Sequence, residues 1–259
     1  MTTARTRSQS SWLRACNRVT RPRSRLVCAP HAGGTAHAYR SWPAALPDDV
    51  EVLAVQYPGR QDRLAEPPAG TMDDLVRPIA DALAPFVGEP LALFGHSMGA
   101  SVAYEVTLEL ERRHGRVVDL LTVSGSCAPH RREEEDRHEL DDAELVEELR
   151  RLDDSFDDLL AVPELLDLVL PSIRADFRLV SLYRRTPAVP VRAPLLVFGG
   201  TGDPDVSPEE LREWRACAGG DFDTRTFPGD HFYLTDERPV LEALAPRLPG
   251  PRPPGPHVP

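Results

Sequence analysis

The pentapeptide Gly95-His96-Ser97-Met98-Gly99 constrains this chain more than any other segment. It follows the apolar run Leu91-Ala92-Leu93-Phe94 and precedes a stretch of helical character from Ala100 to His114. A strand that turns sharply into a helix through G-x-S-x-G strains its central serine and projects the hydroxyl into a cleft, while the two glycines let strand and helix approach closely. Ser97 is therefore a candidate nucleophile, and the fold must place a helix directly against the strand that precedes it.

The rest of the chain supplies such a fold. Short apolar runs at 26–29, 50–55, 91–94, 120–124 and 195–198 and an alternating run at 221–227 read as strands. Helical stretches are expected at 37–45, 72–86 and 100–114, the last with Met98, Val102, Val106 and Leu110 on one stripe. This alternation predicts an α/β fold with a mostly parallel sheet covered on both faces. From about 127 to 187 no strand is evident, and helices are expected at 144–152, 163–170 and 171–183, with Pro163 and Pro171 each opening a first turn. An insertion of that length is too long for an ordinary connection and reads as a helical lid over the C-terminal edge of the sheet. The expected organisation is a disordered tail at 1–10, one domain at 11–248 and a mobile proline-rich tail at 249–259.

Composition excludes several classes. The net charge of −11 argues against a nucleic-acid binder, and no apolar run is long enough to span a bilayer. The basic start lacks a hydrophobic segment, so no secretory signal is expected. Cys16, Cys28, Cys127 and Cys217 are scattered without C-x-x-C spacing, which fits a reducing cytoplasm better than a disulfide framework or a zinc site. His31 and His37 have no third ligand at a sensible spacing, and no phosphate-binding glycine fingerprint is present. No metal or cofactor is expected, and nothing requires more than a monomer.

A serine hydroxyl needs an adjacent base, usually a histidine oriented by a carboxylate. Behind a nucleophile elbow the chain order is serine, acid, histidine. His231, in Phe227-Pro228-Gly229-Asp230-His231-Phe232 after the last strand, fits the base better than His114, His130, His138 or His257. The acid is Asp203 or Asp205, both in the loop after the strand at 195–198. Pro204 fixes the turn after Asp203, the nearer of the two to the strand. Asp230 adjoins His231 and reads as structural. Two backbone N–H groups are candidate oxyanion donors: that of Met98, after the nucleophile, and that of Ala32 in the loop Pro30-His31-Ala32-Gly33-Gly34.

Six segments, in this order, resemble the type II thioesterases, the stand-alone α/β-hydrolases that accompany polyketide synthases and non-ribosomal peptide synthetases. They are 26–34 with His31-Ala32-Gly33-Gly34, Tyr57-Pro58-Gly59-Arg60, 94–100, 170–177 ending Ala175-Asp176-Phe177, 198–204, and 227–234 with Gly229-Asp230-His231-Phe232. The resemblance covers about 12–248 and implies an α/β-hydrolase fold with a helical lid. It also implies Ser97 as nucleophile, Asp203 as acid, His231 as base, and Ala32 and Met98 as oxyanion donors. The implied activity is hydrolysis of stalled or aberrant acyl groups from acyl or peptidyl carrier proteins in the cytoplasm. The phosphopantetheine arm belongs to the substrate. Ala29 departs from the phenylalanine common in the family, which either widens the acyl site or repacks the core. Arg131, Arg132, Arg184 and Arg185 flank the insertion and are candidate contacts for an acidic carrier. Rival readings are a chain-releasing thioesterase, a small-molecule carboxylesterase or lipase on the same fold, and a non-catalytic hydrolase-like binding protein.

Overall fold

Seven strands form one sheet in the order β1-β3-β2-β4-β5-β6-β7 among the described residues, which in this computed structural model are 10–132, 137–152 and 163–251. Of the expected tails, 1–9 and 252–259 lie outside the described residues, as do 133–136 and 153–162 of the expected lid. The strands are β1 (Leu13–Ala15), β2 (Ser24–Ala29), β3 (Val50–Val55), β4 (Leu91–His96), β5 (Leu120–Ser124), β6 (Leu195–Gly200) and β7 (Phe222–Phe227). Every pairing is parallel except that of β1, which runs antiparallel along β3 with Leu13 opposite Val55. The helices are α1 (Met72–Leu83), α2 (Met98–His114), α3 (Asp142–Leu152), α4 (Pro163–Leu182), α5 (Pro208–Arg212) and α6 (Glu237–Leu244). No described helix is long and apolar enough to cross a membrane.

The period-2 geometry of the strands divides the core between the two sheet faces. Val27, Leu93, Leu121 and Val197 pack with α1 and α2, while Leu26, Phe94, Leu196 and Phe198 pack on the other face with Trp42 and α6. Both sides of the central strands are thus buried, which is why they read as continuous apolar runs. Strand β2 lies between β3 and β4, so the chain reverses its direction of travel across the sheet there. Ligand crevices in open α/β sheets form at the carboxyl ends of strands at such a switch point. The loop at 30–34 and the turn at Ser97 leave from those two strand ends.

Four expected helices differ. The helix expected at 37–45 is two 3-10 turns, Ala36–Tyr39 and Trp42–Ala45. Pro43 has no N–H to donate back to the preceding turn, so a stretch already too short to propagate splits there. The helix expected at 72–86 ends at Leu83 and continues as a 3-10 turn, Ala84–Phe86, around Pro85. The two helices expected at 163–170 and 171–183 are the single helix α4, with Pro171 inside it. Leu166, Val169, Leu170, Ile173 and Phe177 form one stripe, packed with Leu145 and Leu149 of α3 across the proline. That shared burial outweighs the backbone bond lost at Pro171.

Between β5 and β6 the described residues hold α3, α4 and a 3-10 turn, Arg137–Glu139. Phe232, next to His231, packs against the α3–α4 cluster. Trp214 is fully buried behind the pocket, its indole N–H donating to the carbonyl of Ser126 at 2.7 Å and its ring meeting Tyr104 edge-on. Trp214→Ala removes both a large core side chain and that anchor, and is expected to cost about 3–5 kcal/mol in urea-unfolding free energy.

Candidate active site

The turn at Ser97 follows from contacts between backbones. A Cβ on Gly95 would lie 1.9 Å from the carbonyl oxygen of Gly99, and one on Gly99 would lie 2.0 Å from that of Ala29. Only glycine fits at either position, and β4, α2 and β2 touch main chain to main chain. Ser97 adopts φ 55°, ψ −117°, a conformation that costs a non-glycine residue on the order of 1–3 kcal/mol and persists only where its surroundings enforce it. Its N–H is held by the carbonyl of Ser124 at 2.8 Å.

Across the cleft, Nε2 of His231 lies 3.0 Å from Oγ of Ser97, and Nδ1 lies 2.9 Å from Oδ2 of Asp203. The Asp203 side chain is fully buried. Its other oxygen accepts the N–H of Asp205 at 2.9 Å, which orients the carboxylate within its own turn. Asp205 instead pairs with Arg137 at 2.9 Å and Arg151 at 2.6 Å. Burial alone would raise the Asp205 pKa, but bonds and charge from these arginines hold it below the ordinary carboxylate value. The structure thus brings Asp203, not Asp205, onto His231. Asp230 accepts the N–H of Phe232 at 2.8 Å and takes no part in the line.

Ala32 and Met98 both line the pocket that holds Ser97 and His231. Among the described residues neither amide has a protein acceptor. Met98 opens α2, so its N–H is one of the unpaired donors at a helix N-terminus. Ser126, Cys127 and Arg132, Phe177 and Val180 of α4, Leu149 of α3, and Asp205 with its partner Arg137 are among the other residues that line the pocket.

Ala29 is not at the pocket. It lies in the core and lines a small apolar void with Val27, Ile79 and Val102, so alanine here repacks the core. The four flanking arginines are mostly engaged locally. Arg132 donates to Ser126 Oγ, Arg184 to the carbonyls of Ser181 and Tyr183, and Arg185 pairs with Glu105, whereas Arg131 stays largely exposed near Glu213.

His96 is the residue that sequence reasoning passed over. Its ring is buried beside the ring of His231, with centroids 5.2 Å apart. Its Nδ1 bonds Oγ of Ser124 at 2.9 Å, and that oxygen bonds the Tyr233 hydroxyl. Burial, then the neighbouring imidazoles of His231 and His31, hold the His96 pKa well below its ordinary value. A neutral ring thus backs His231 without repelling a proton on it. The only hint in the sequence was its place at the end of a strand facing the cleft.

A model of the thioesterase domain family matches residues 24–248. The chain is 40% identical over 227 residues to Thioesterase PikA5 of Streptomyces venezuelae, covering 87% of this chain and 81% of that one. The structure of the type II thioesterase BorB from the borrelidin biosynthetic cluster superposes with a TM-score of 0.84 at 40% identity, covering 92% of this chain and 97% of that chain. YbtT, a type II thioesterase from the yersiniabactin NRPS/PKS pathway, superposes with a TM-score of 0.83 at 30% identity, covering 92% and 98%.

His96 yields a pH test. The unfolded chain binds a proton at this residue below about pH 6.5, and the folded chain resists it. Stability from His96 is therefore present above that pH and is lost as pH falls, levelling off below the folded pKa. Urea-unfolding free energies measured from pH 7.5 to 5 should fall less steeply in His96→Asn than in the wild type. Equal slopes would contradict a neutral buried His96.

Proposed function

The chain belongs to the thioesterase domain family, and from that premise we propose that it hydrolyses acyl thioesters carried on the phosphopantetheine arm of acyl or peptidyl carrier proteins, clearing stalled or aberrant acyl groups from a polyketide or non-ribosomal peptide synthase in the cytoplasm. The observation that carries the reading is the hydrogen-bonded line from Ser97 Oγ through His231 to the buried Asp203. Relatives named as type II thioesterases of such pathways support the substrate class.

In this mechanism neutral His231 accepts the Ser97 proton at Nε2 as Oγ attacks the thioester carbonyl. Asp203 accepts the hydrogen bond from Nδ1, which selects the reactive tautomer and stabilises the imidazolium that forms. The amides of Ala32 and Met98 stabilise the oxyanion, each worth roughly 10²–10³-fold in kcat. The imidazolium then protonates the departing thiol sulfur, leaving an acyl ester on Ser97. Water attacks that ester while His231 takes its proton, and collapse of the second tetrahedral intermediate returns the proton to Ser97 and frees the acid. No metal or cofactor enters these steps.

The test is intact-mass measurement of acyl-loaded carrier proteins incubated with the enzyme. The wild type should return the free-thiol carrier, and Ser97→Ala should leave the acyl mass in place. Asp203→Asn should lower kcat on the order of 10⁴-fold, as expected when the base loses its orienting carboxylate. Asp205→Asn should cost less than tenfold, because Asp205 lies on the arginines and not on His231. Turnover by Ser97→Ala at the wild-type rate, or strong preference for plain esters over carrier thioesters, would overturn the reading.

A further inference from the structure

A buried ion pair joins the helical insertion to the loop that bears Ala32. Arg60, in the turn after β3, and Asp176, on α4, have side chains only 5% and 3% exposed. Their contact is bidentate, with one guanidinium nitrogen 2.6 Å from Oδ2 and the other 2.9 Å from Oδ1. The same Oδ2 accepts the backbone N–H of Gly33 at 2.8 Å. Arg60 also donates to the carbonyls of Gly34 at 3.2 Å and Pro58 at 3.3 Å. One side chain from the insertion and one from the sheet edge thus grip two consecutive residues of the same loop.

That loop is a tight turn. The N–H of Gly34 bonds the carbonyl of His31 at 2.9 Å, and Gly33 takes φ +74°. A positive φ at the third of four residues is what a type II turn demands, and it leaves the N–H of the second residue, Ala32, outside the turn's own bond. The Gly33 N–H held by Asp176 belongs to the peptide that joins Ala32 to Gly33. Holding it fixes the plane of that peptide and so the rotation of Ala32. Ile173, one turn before Asp176, closes the other side: a Cβ on Gly33 would lie 2.8 Å from its Cγ1.

We propose that Asp176, held by Arg60, is a positioning residue that aims the Ala32 N–H at the oxyanion, so that this donor is in register only while α4 is seated on the loop. The inference rests on the role given to Ala32 under the proposed function. It ties the acceptance of charge at Ser97 to the position of the insertion without either residue touching substrate. Asn at 176 retains an acceptor for Gly33 but presents an amide to the guanidinium, and Lys at 60 replaces a planar fork with a point charge.

The experiment measures kcat and KM for a small N-acetylcysteamine thioester, which needs no carrier docking, together with inhibition by a short alkylboronic acid that forms a tetrahedral adduct on serine. Asp176→Asn should lower kcat tenfold to a hundredfold, since misaiming one donor forfeits part of its contribution, with KM within twofold. Boronate affinity should fall by a similar factor. Arg60→Lys should show the same pattern with a smaller loss, and it carries the test if Asp176→Asn does not yield folded protein. A rise in KM with kcat and boronate affinity unchanged, or a kcat loss that only tracks the unfolded fraction, would overturn the proposal. If Ser97→Ala is inactive while these variants keep wild-type kcat and boronate affinity, the positioning role alone fails. If Ser97→Ala is active, the underlying reading fails.

Discussion

Everything at the cleft depends on two backbone contacts, Gly95 on Gly99 and Gly99 on Ala29. They bring β4, α2 and β2 closer than any side chain permits, and Ser97 between them sits at positive φ. The strain is held by burial on all sides: the strand beneath is fully covered, and the helix above packs against it along its whole inner stripe. Both the cleft-facing hydroxyl and the unpaired Met98 amide follow from this one junction. The second amide comes from the neighbouring strand end, because the chain reverses across the sheet between β2 and β4.

The remaining parts arrive from farther along the chain and are held by polar contacts suited to their distance. Asp203 and His231 leave the ends of β6 and β7, whose loops meet where a Cβ on Gly200 would lie 2.1 Å from the carbonyl oxygen of Asp230. The insertion reaches the cleft from above, with apolar contacts at Phe177, Val180 and Phe232 and the charged bond between Asp176 and Arg60. A buried ion pair contributes little net stability compared with an apolar replacement, but losing one partner is severe. Such a pair suits a joint that must be made in one register only.

Much of this was legible in the residues. Central strands, buried on both faces, stand out as apolar runs, and each chemistry-bearing residue lies in a loop that punctuates them. Chain order behind the elbow selected Ser97, His231 and a carboxylate in the loop after β6, and the shorter path from the strand favoured Asp203 over Asp205. What was hidden has physical causes. Strand β1 is three residues long and has no periodicity to detect. The unity of α4 depends on packing against α3, which overrides the local signal of Pro171. Asp176 lies 116 positions from Arg60, and only the fold brings the two together. His96 carries no pattern of its own, since its importance comes from rings contributed by residues 31, 231 and 232.

The central claim, that the strained junction makes Ser97 the nucleophile, is tested most directly by labelling the folded protein with a fluorophosphonate and locating the adduct by peptide mass spectrometry. The account predicts one stoichiometric adduct on Ser97 and none after denaturation in urea, because the reactivity belongs to the turn and to His231 and not to serine itself. An adduct on another residue, or no adduct on the folded protein, would contradict it.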